Sequence, residues 1–188
     1  MPRWYVIQVG AGRDDIVLER VRRRAAELAE AGEVAPQALA RVFSPRYETQ
    51  AKVKGEYRLV RRRLTPGYLV AASSRPQDLE RVCRTAGEFA RLLRNEEGFT
   101  PLSDDEAAWM AAFTKEGRRA VPMSTAVKEG DEVVVTEGPL LGCAFPVKRI
   151  DRHRSTAWLE VTICGRAKEV PVGLRVVARR DGDRRSDS

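Results

Sequence analysis

Hydrophobic residues along the chain switch between two spacings, and the switches mark out its elements. Trp4–Val9 is an apolar run of strand length, closed by Gly10-Ala11-Gly12. From about Asp14 to Ala31 the spacing lengthens. Val17, Val21, Ala25 and Leu28 recur at three- and four-residue steps, the buried stripe of a helix. Asp14 and Asp15 suit its first turn, where the helix dipole favours acids, and Gly32 suits its end. Two strand-like runs, Arg41–Glu48 and Glu56–Leu64, meet around Lys54-Gly55, and Pro66-Gly67 breaks the chain before a strand at Tyr68–Ala72. Pro76 opens a second helix with Leu79, Val82 and Cys83 inward. Phe89–Leu93 fits a further strand or a helical extension equally. Ser103 with Glu106 three residues on forms a capping box for a third helix, which turns Ala107, Met110 and Ala111 or their neighbours inward as far as Phe113. The order strand-helix-strand-strand-helix-strand is that of a ferredoxin-like α/β sandwich.

The second half keeps the period of a strand throughout. Val133 and Val135 share one face; Glu137-Gly138-Pro139 stops that run, and Gly142 supplies a positive φ before a second strand through Val147 and Ile150. Ala157, Leu159, Val161 and Ile163 then alternate with Trp158, Glu160 and Thr162. Gly165-Arg166 turns the chain into strands around Glu169–Val172 and Leu174–Val177. Five short strands with one apolar face each predict a small closed β-barrel. The chain is therefore read as α+β: a sandwich over residues 1–114, a linker over 115–127 (Lys115–Val127 shows no sustained period), a barrel over 128–178, and a disordered tail over 179–188.

Composition changes this picture in one respect. A net charge of +7 on 188 residues favours an anionic partner, of which nucleic acid is the common case. Three cysteines, Cys83, Cys143 and Cys164, form no Cys-x-x-Cys pair and fit reduced thiols in a cytoplasm. With a single histidine, no zinc site is expected. No apolar run approaches the ~20 residues that span a bilayer, and no signal peptide precedes Trp4.

The candidate chemistry is binding rather than catalysis. Val9-Gly10-Ala11-Gly12 sits where a phosphate loop would, but Asp15 occupies the place of the third glycine, and two carboxylates at the helix start would repel a pyrophosphate. His153 stands between Arg152 and Arg154 on a predicted turn with no nucleophile nearby, and no carboxylate pair lies in an apolar setting, so no enzyme is expected. Lys148, Arg149, Arg152, His153 and Arg154 crowd one strand end and its turn, and Arg166 and Lys168 flank the next turn, expected at the same end of the barrel. Guanidinium groups match phosphate geometry and stack on exposed bases. Arg22–Arg24 and Arg61–Arg63 form no compact patch, because consecutive residues splay or alternate, although Arg61 and Arg63 share a face that could meet nucleic acid.

Several of these segments carry a family resemblance. Trp4–Val9, Pro66-Gly67-Tyr68-Leu69-Val70 and Ser103-Asp104-Asp105-Glu106 resemble the amino-terminal (NGN) domain of NusG proteins. Gly130–Gly142 running on to Asp151 resembles a KOW domain, the β-barrel of NusG-type transcription factors and several ribosomal proteins. The two stand in the family's order and cover nearly the whole chain. The resemblance implies that Tyr68, with Pro66, Gly67, Trp4 and Tyr5, docks a hydrophobic concavity onto the clamp helices of RNA polymerase; Tyr68 suits the core as well. Thr65 stands where the family usually has phenylalanine, which either weakens the polymerase contact or passes it to Leu64. It further implies that Lys148, Arg149, Arg152, His153, Arg154, Arg166 and Lys168 bind RNA.

General NusG factors present an aromatic in an Ile-Phe-Gly-Arg turn to the termination factor Rho or a ribosomal protein; here the turn is Ile163-Cys164-Gly165-Arg166. Phe145 replaces an expected glycine, and Pro146 removes a strand donor, implying a bulge or edge. Arg149–Arg154, Glu169–Leu174 and Phe43–Tyr47 resemble the LoaP group of specialised NusG paralogues. That likeness implies an operon-specific processive antiterminator, which holds polymerase with one domain and a hairpin in the leader transcript with the other. A general NusG elongation factor is the second reading, and a ribosomal RNA-binding protein the third. No cofactor is implied, and the expected form is a cytoplasmic monomer.

Overall fold

The computed structural model describes residues 2–39, 41–113, 120–143 and 145–178, with the backbone alone for 109–113. The inward positions predicted at Met110, Ala111 and Phe113, the first part of the predicted linker and the predicted tail lie outside the described side chains. The chain forms two compact units. The first comprises Met1–Arg46, Arg63–Arg119 and Thr162–Lys168; the second comprises Tyr47–Arg62, Ala120–Val161 and Glu169–Ser188. These units interleave segments of the two predicted domains.

In chain order the elements are β1 (Arg3–Val9), α1 (Asp14–Glu30), a 3₁₀ turn (Pro36–Leu39), β2 (Arg41–Phe43), β3 (Arg46–Val53), β4 (Glu56–Arg63), β5 (Tyr68–Ser73), α2 (Pro76–Thr85), β6 (Ala90–Leu92), β7 (Arg94–Asn95), β8 (Gly98–Phe99), α3 (Asp104–Phe113), β9 (Ala120–Val121), β10 (Ser124–Glu129), β11 (Glu132–Glu137), β12 (Val147–Asp151), β13 (Thr156–Ile163) and β14 (Arg166–Ala178).

The first unit holds an antiparallel sheet in the order β2-β5-β1-β6. Counted as first to fourth sheet strand, that is the 2-3-1-4 arrangement of a ferredoxin-like sandwich, with the β3–β4 hairpin inserted before the third strand. One sheet face carries Tyr5, Ile7, Val9, Leu69 and Ala71, and α1 and α2 bury Val17, Val21, Leu28, Leu79 and Val82 against it. The predicted stripe of α1 is present, with Ala25 partly buried and Leu18 added to it. The Cys83 thiol sits in this core, where burial pushes its pKa up to about 12, so it is an inert packing residue. The run predicted as one strand over Arg41–Glu48 is broken at Ser44-Pro45, where proline has no N–H to give a ladder; the Pro45 carbonyl instead accepts from the Leu64 amide at 2.8 Å. Phe89–Leu93 resolves as the strand β6. The capping box of α3 is complete: Ser103 N–H donates to Glu106 Oε2 at 2.7 Å, and Glu106 N–H to Ser103 Oγ at 3.2 Å.

The second unit holds a five-stranded sheet in the order β11-β10-β14-β13-β12 and a smaller one in the order β4-β3-β9. Its core holds Ala126, Ala157, Leu159, Val170, Val172 and Leu174, all buried. The first strand of the larger sheet, β10, begins inside the stretch predicted to be a linker. It runs parallel to β14, Ser124 opposite Leu174, and antiparallel to β11, so its structure is fixed by partners distant in sequence. Glu169–Val172 and Leu174–Val177, predicted as two strands, are one strand, β14. Gly173 is not a turn. A Cβ there would lie 1.9 Å from the Glu48 carbonyl oxygen and 2.9 Å from Met123 Cγ, so glycine is required where β14 crosses β3. Gly138 is as constrained: its φ is 92°, and a Cβ would meet Ser124 Cα at 2.7 Å, next to the Leu140 N–H that donates to Ser124 Oγ. The edge strand β12 follows Pro146 and shifts register between Val147 and Arg149.

Candidate functional site

Strand alternation gives the sheet of the first unit a second face, bearing Trp4, Val6 and Gln8 from β1 opposite Ala72, Val70 and Tyr68 from β5. Trp4 packs edge-on against Phe43, with ring centroids 5.8 Å apart. A cavity of about 700 Å³ opens here, lined by Val6, Gln8, Tyr68, Val70, Leu93 and Leu102 among others. Tyr68 is held at its rim by a turn that the sequence specifies closely. Thr65-Pro66-Gly67-Tyr68 closes with Tyr68 N–H donating to the Thr65 carbonyl at 3.1 Å, with Pro66 second and Gly67 third at φ 83°, the pattern of a type II turn. The turn is clamped on both sides: Val9 N–H donates to the Gly67 carbonyl at 2.9 Å, and Gly67 N–H donates to Asp14 Oδ1 at 2.8 Å.

Of the residues predicted to dock polymerase, Trp4 and Tyr68 are half-buried on this face and Pro66 is exposed, while Gly67 shapes the turn. Tyr5 and Leu64 are buried, at 5% and 2% exposure. Tyr5 is in phase with Ile7 and Val9, so it points into the helix-side core. Neither side chain is available to a partner.

Asp14 is missing from the predicted set although it is fully buried where it holds the Pro66-Gly67 turn. Its carboxylate also lies 3.7 Å from Arg63 Nε. Asp15 beside it accepts from Arg46 and Arg63, each at 2.7 Å. Partial burial raises the Asp15 pKa, but these two arginines outweigh it and hold the carboxyl below its ordinary value. Arg63 is thereby engaged, and Arg61 pairs with Glu48 at 3.2 Å, so the face they share offers no free pair of cations.

The predicted RNA set divides. β13 is eight residues long and separates its two turns, so the turn of Arg152–Arg154 and that of Arg166–Lys168 lie at opposite ends of it, roughly 23 Å apart by the rise of a strand. The expectation of a single basic end is thus corrected. Lys168 Nζ instead sits 4.0 Å above the Tyr68 ring, and Ile163, Cys164 and Arg166 line the same cavity. Burial and the Glu106 carboxylate push the Cys164 thiol up to about 11, against the opposing charges of Lys168 and Arg166. On β12 the register shift lets the consecutive residues Lys148 and Arg149 reach the same face of β13: Lys148 pairs with Glu160 at 3.0 Å, and Arg149 lies 3.6 Å over the Trp158 ring while pairing with Glu169 at 3.5 Å. At the turn, Asp151 accepts from the Arg154 N–H at 3.0 Å and pairs with its guanidinium at 3.7 Å. Arg152 and His153 are exposed, and neither side chain has a partner among the described residues.

Among the described residues, no three His, Cys, Asp or Glu side chains converge as they would around a metal ion.

The family model for NusG, described as transcription termination factor nusG, matches residues 2–111. The chain belongs to the NusG family. Curated relatives include the transcription termination/antitermination protein NusG of Treponema pallidum, 28% identical over 93% of this chain and 95% of that one, and that of Campylobacter jejuni, 25% identical over 90% and 93%. A structure of Thermotoga maritima NusG, solved for its domain interaction, superposes with a TM-score of 0.52 at 18% identity, covering 93% of this chain and 94% of that one, and so shares its fold. The sandwich is the NusG amino-terminal domain and the five-stranded sheet is KOW-like. As a member of this family the protein is a transcription factor, not an enzyme.

Proposed function

We propose that this NusG protein is an operon-specific regulator of transcription elongation, a processive antiterminator. Residues 1–114 bind RNA polymerase through the sheet face turned away from α1 and α2, with Trp4, Pro66 and Tyr68 as contacts and Gly67 shaping the turn. The segment from Ser124 to Ala178 binds an RNA hairpin in the nascent leader. Holding both at once is the mechanism: the second binding event becomes intramolecular, which raises effective concentration without new contacts. The observation that carries the RNA half is the exposed β12–β13 turn, where Arg152 and His153 have no partner among the described residues and the Arg149–Trp158 stack stands nearby on β12 and β13. Polar side chains with no internal partner, the Arg152 guanidinium above all, are available to phosphates, and an arginine lying on an aromatic ring is a surface on which an unpaired base can stack.

No helix among the described residues is long and apolar enough to cross a membrane. A general NusG factor is the second reading, favoured by relatives that match over nearly their full length under that name. Cys164 in place of an aromatic in the β13–β14 turn favours the specialised role, because it removes a hydrophobic anchor.

Arg152→Ala and Arg154→Ala are each expected to weaken binding of a cognate leader hairpin. Each should also flatten the plot of log affinity against log salt by roughly 0.7–0.9 for every phosphate it no longer engages. Arg166→Ala and Lys168→Ala, at the other end of β13, are expected to leave that slope unchanged. Equal losses from both ends would contradict the assignment. Discrimination between cognate and scrambled hairpins should fall for at least one variant of the turn; loss of affinity for both RNAs alike would make the turn an electrostatic patch only.

A further inference from the structure

The turn that carries Arg152, His153 and Arg154 is closed by the Ser155 N–H donating to the Arg152 carbonyl at 3.3 Å, and it is held from outside as well. Its last residue, Ser155, is buried and takes φ 46°, a left-handed conformation that a non-glycine residue keeps only when its surroundings enforce it. The enforcing groups come from far along the chain. Thr49 Oγ1, on β3, donates to the carbonyls of both Arg154 and Ser155, each at 2.9 Å. Thr49 is 1% exposed, and the Thr156 hydroxyl, 3.5 Å away, donates to the same Arg154 carbonyl at 2.9 Å. The Leu174 amide of β14 donates to the Ser155 carbonyl at 2.9 Å, one residue past the glycine at which β14 passes against Glu48 of β3. Every group in this seat belongs to the second unit.

From this geometry we infer that Thr49 is a positioning residue for RNA recognition: its hydroxyl, supplied by β3, sets the path of the basic turn and aims Arg152–Arg154 at the RNA. The inference rests on the RNA-binding reading given above and adds that the recognition turn is not self-contained within residues 128–178. Its chemical logic is that of a buried donor serving two carbonyls at once. Removing it takes the shared donor from both acceptors, leaves the Thr156 hydroxyl on the Arg154 carbonyl and the Leu174 amide on the Ser155 carbonyl to hold the path alone, and lets the chain relax toward an ordinary turn that points the arginines elsewhere.

The test uses the full chain as wild type, Thr49→Val (the same shape without the hydroxyl) and Thr49→Ser (the hydroxyl without the methyl). A fluorescein-labelled RNA stem-loop is titrated by anisotropy across a range of salt. Thr49→Val is expected to lose about tenfold in affinity and to flatten the salt dependence by the equivalent of at least one phosphate, roughly 0.7–0.9 in slope; Thr49→Ser is expected to restore both. Wild-type affinity and slope in Thr49→Val overturn the inference, as does failure of Thr49→Ser to restore them. Hydrogen exchange reads the seat without RNA. The Arg154 and Ser155 amides should exchange faster in Thr49→Val while those of Leu159 and Val161 stay protected, and unchanged exchange overturns the inference. A wild-type chain that binds no stem-loop at low salt instead defeats the RNA-binding reading. If Thr49→Val does not fold, Thr49→Ala, which leaves room for water on the two carbonyls, takes its place with the same expected outcomes.

Discussion

Gly173→Ala is expected to destabilise the second unit by about 3 kcal/mol or more, lowering its melting temperature by roughly 10 °C. The added methyl would sit 1.9 Å from the Glu48 carbonyl oxygen, where real Cβ contacts essentially never fall under 3.0 Å, so β14 and β3 must part by about 1 Å. The nearest obstacle is strand backbone, which cannot swing aside as the Met123 side chain can, and the five-stranded sheet cannot shift there without disturbing the Leu174 hydrogen bond to Ser155. Gly165→Ala is the control. Its φ is 74° but a Cβ there meets nothing within 4 Å, so only left-handed strain remains, about 1 kcal/mol. Thermal denaturation followed by calorimetry separates the two, and a Gly173→Ala protein that melts like the wild type would mean that β14 does not cross β3 as described.

Tyr68→Ala is expected to weaken binding to RNA polymerase by about 2 kcal/mol, roughly thirtyfold, with the fold and the salt dependence of RNA binding unchanged. Tyr68 is on the sheet face away from the helix-packed core, half-buried at the rim of the cavity, and its backbone is fixed by the Pro66-Gly67 turn irrespective of its ring. Truncation therefore removes contact area without opening a hole beneath α1. Tyr68→Phe, which keeps the ring beside Lys168, should retain most of the affinity. Binding is measured by competition between labelled wild type and each variant on the purified enzyme. A variant that no longer folds would make Tyr68 a structural residue. Unaltered affinity in a folded variant would move the contact to Trp4 or Pro66.

Much of the sandwich was legible in the residues because its signals are local. The three-and-four spacing in α1, the Pro-Gly turn and the Ser103–Glu106 box each depend on neighbours within a few positions. Tyr5 was placed at the polymerase contact by the resemblance, although its parity with Ile7 and Val9 puts it in the core. What escaped reading depends on distant partners. Ser124–Glu129 is too short to announce itself and becomes a strand through β14, some fifty residues on. Gly173 reads as punctuation because glycine usually breaks strands, whereas here it permits a close approach by a segment 125 positions earlier. The basic residues were visible as a cluster, but not the acids and rings that engage Lys148, Arg149 and Lys168, nor the length of β13 that divides them. Thr49 gives no signal at all in the sequence, since its acceptors lie 105 and 106 positions away.

Transcription in vitro across a terminator placed downstream of the native leader, with and without that leader, tests the central claim most directly. The account predicts that the full chain raises readthrough only when the leader hairpin is transcribed, and that Tyr68→Ala and Arg152→Ala each reduce the effect, one through polymerase and the other through RNA. Readthrough of equal size on a template lacking the leader would contradict operon-specific action and leave a general NusG factor in its place.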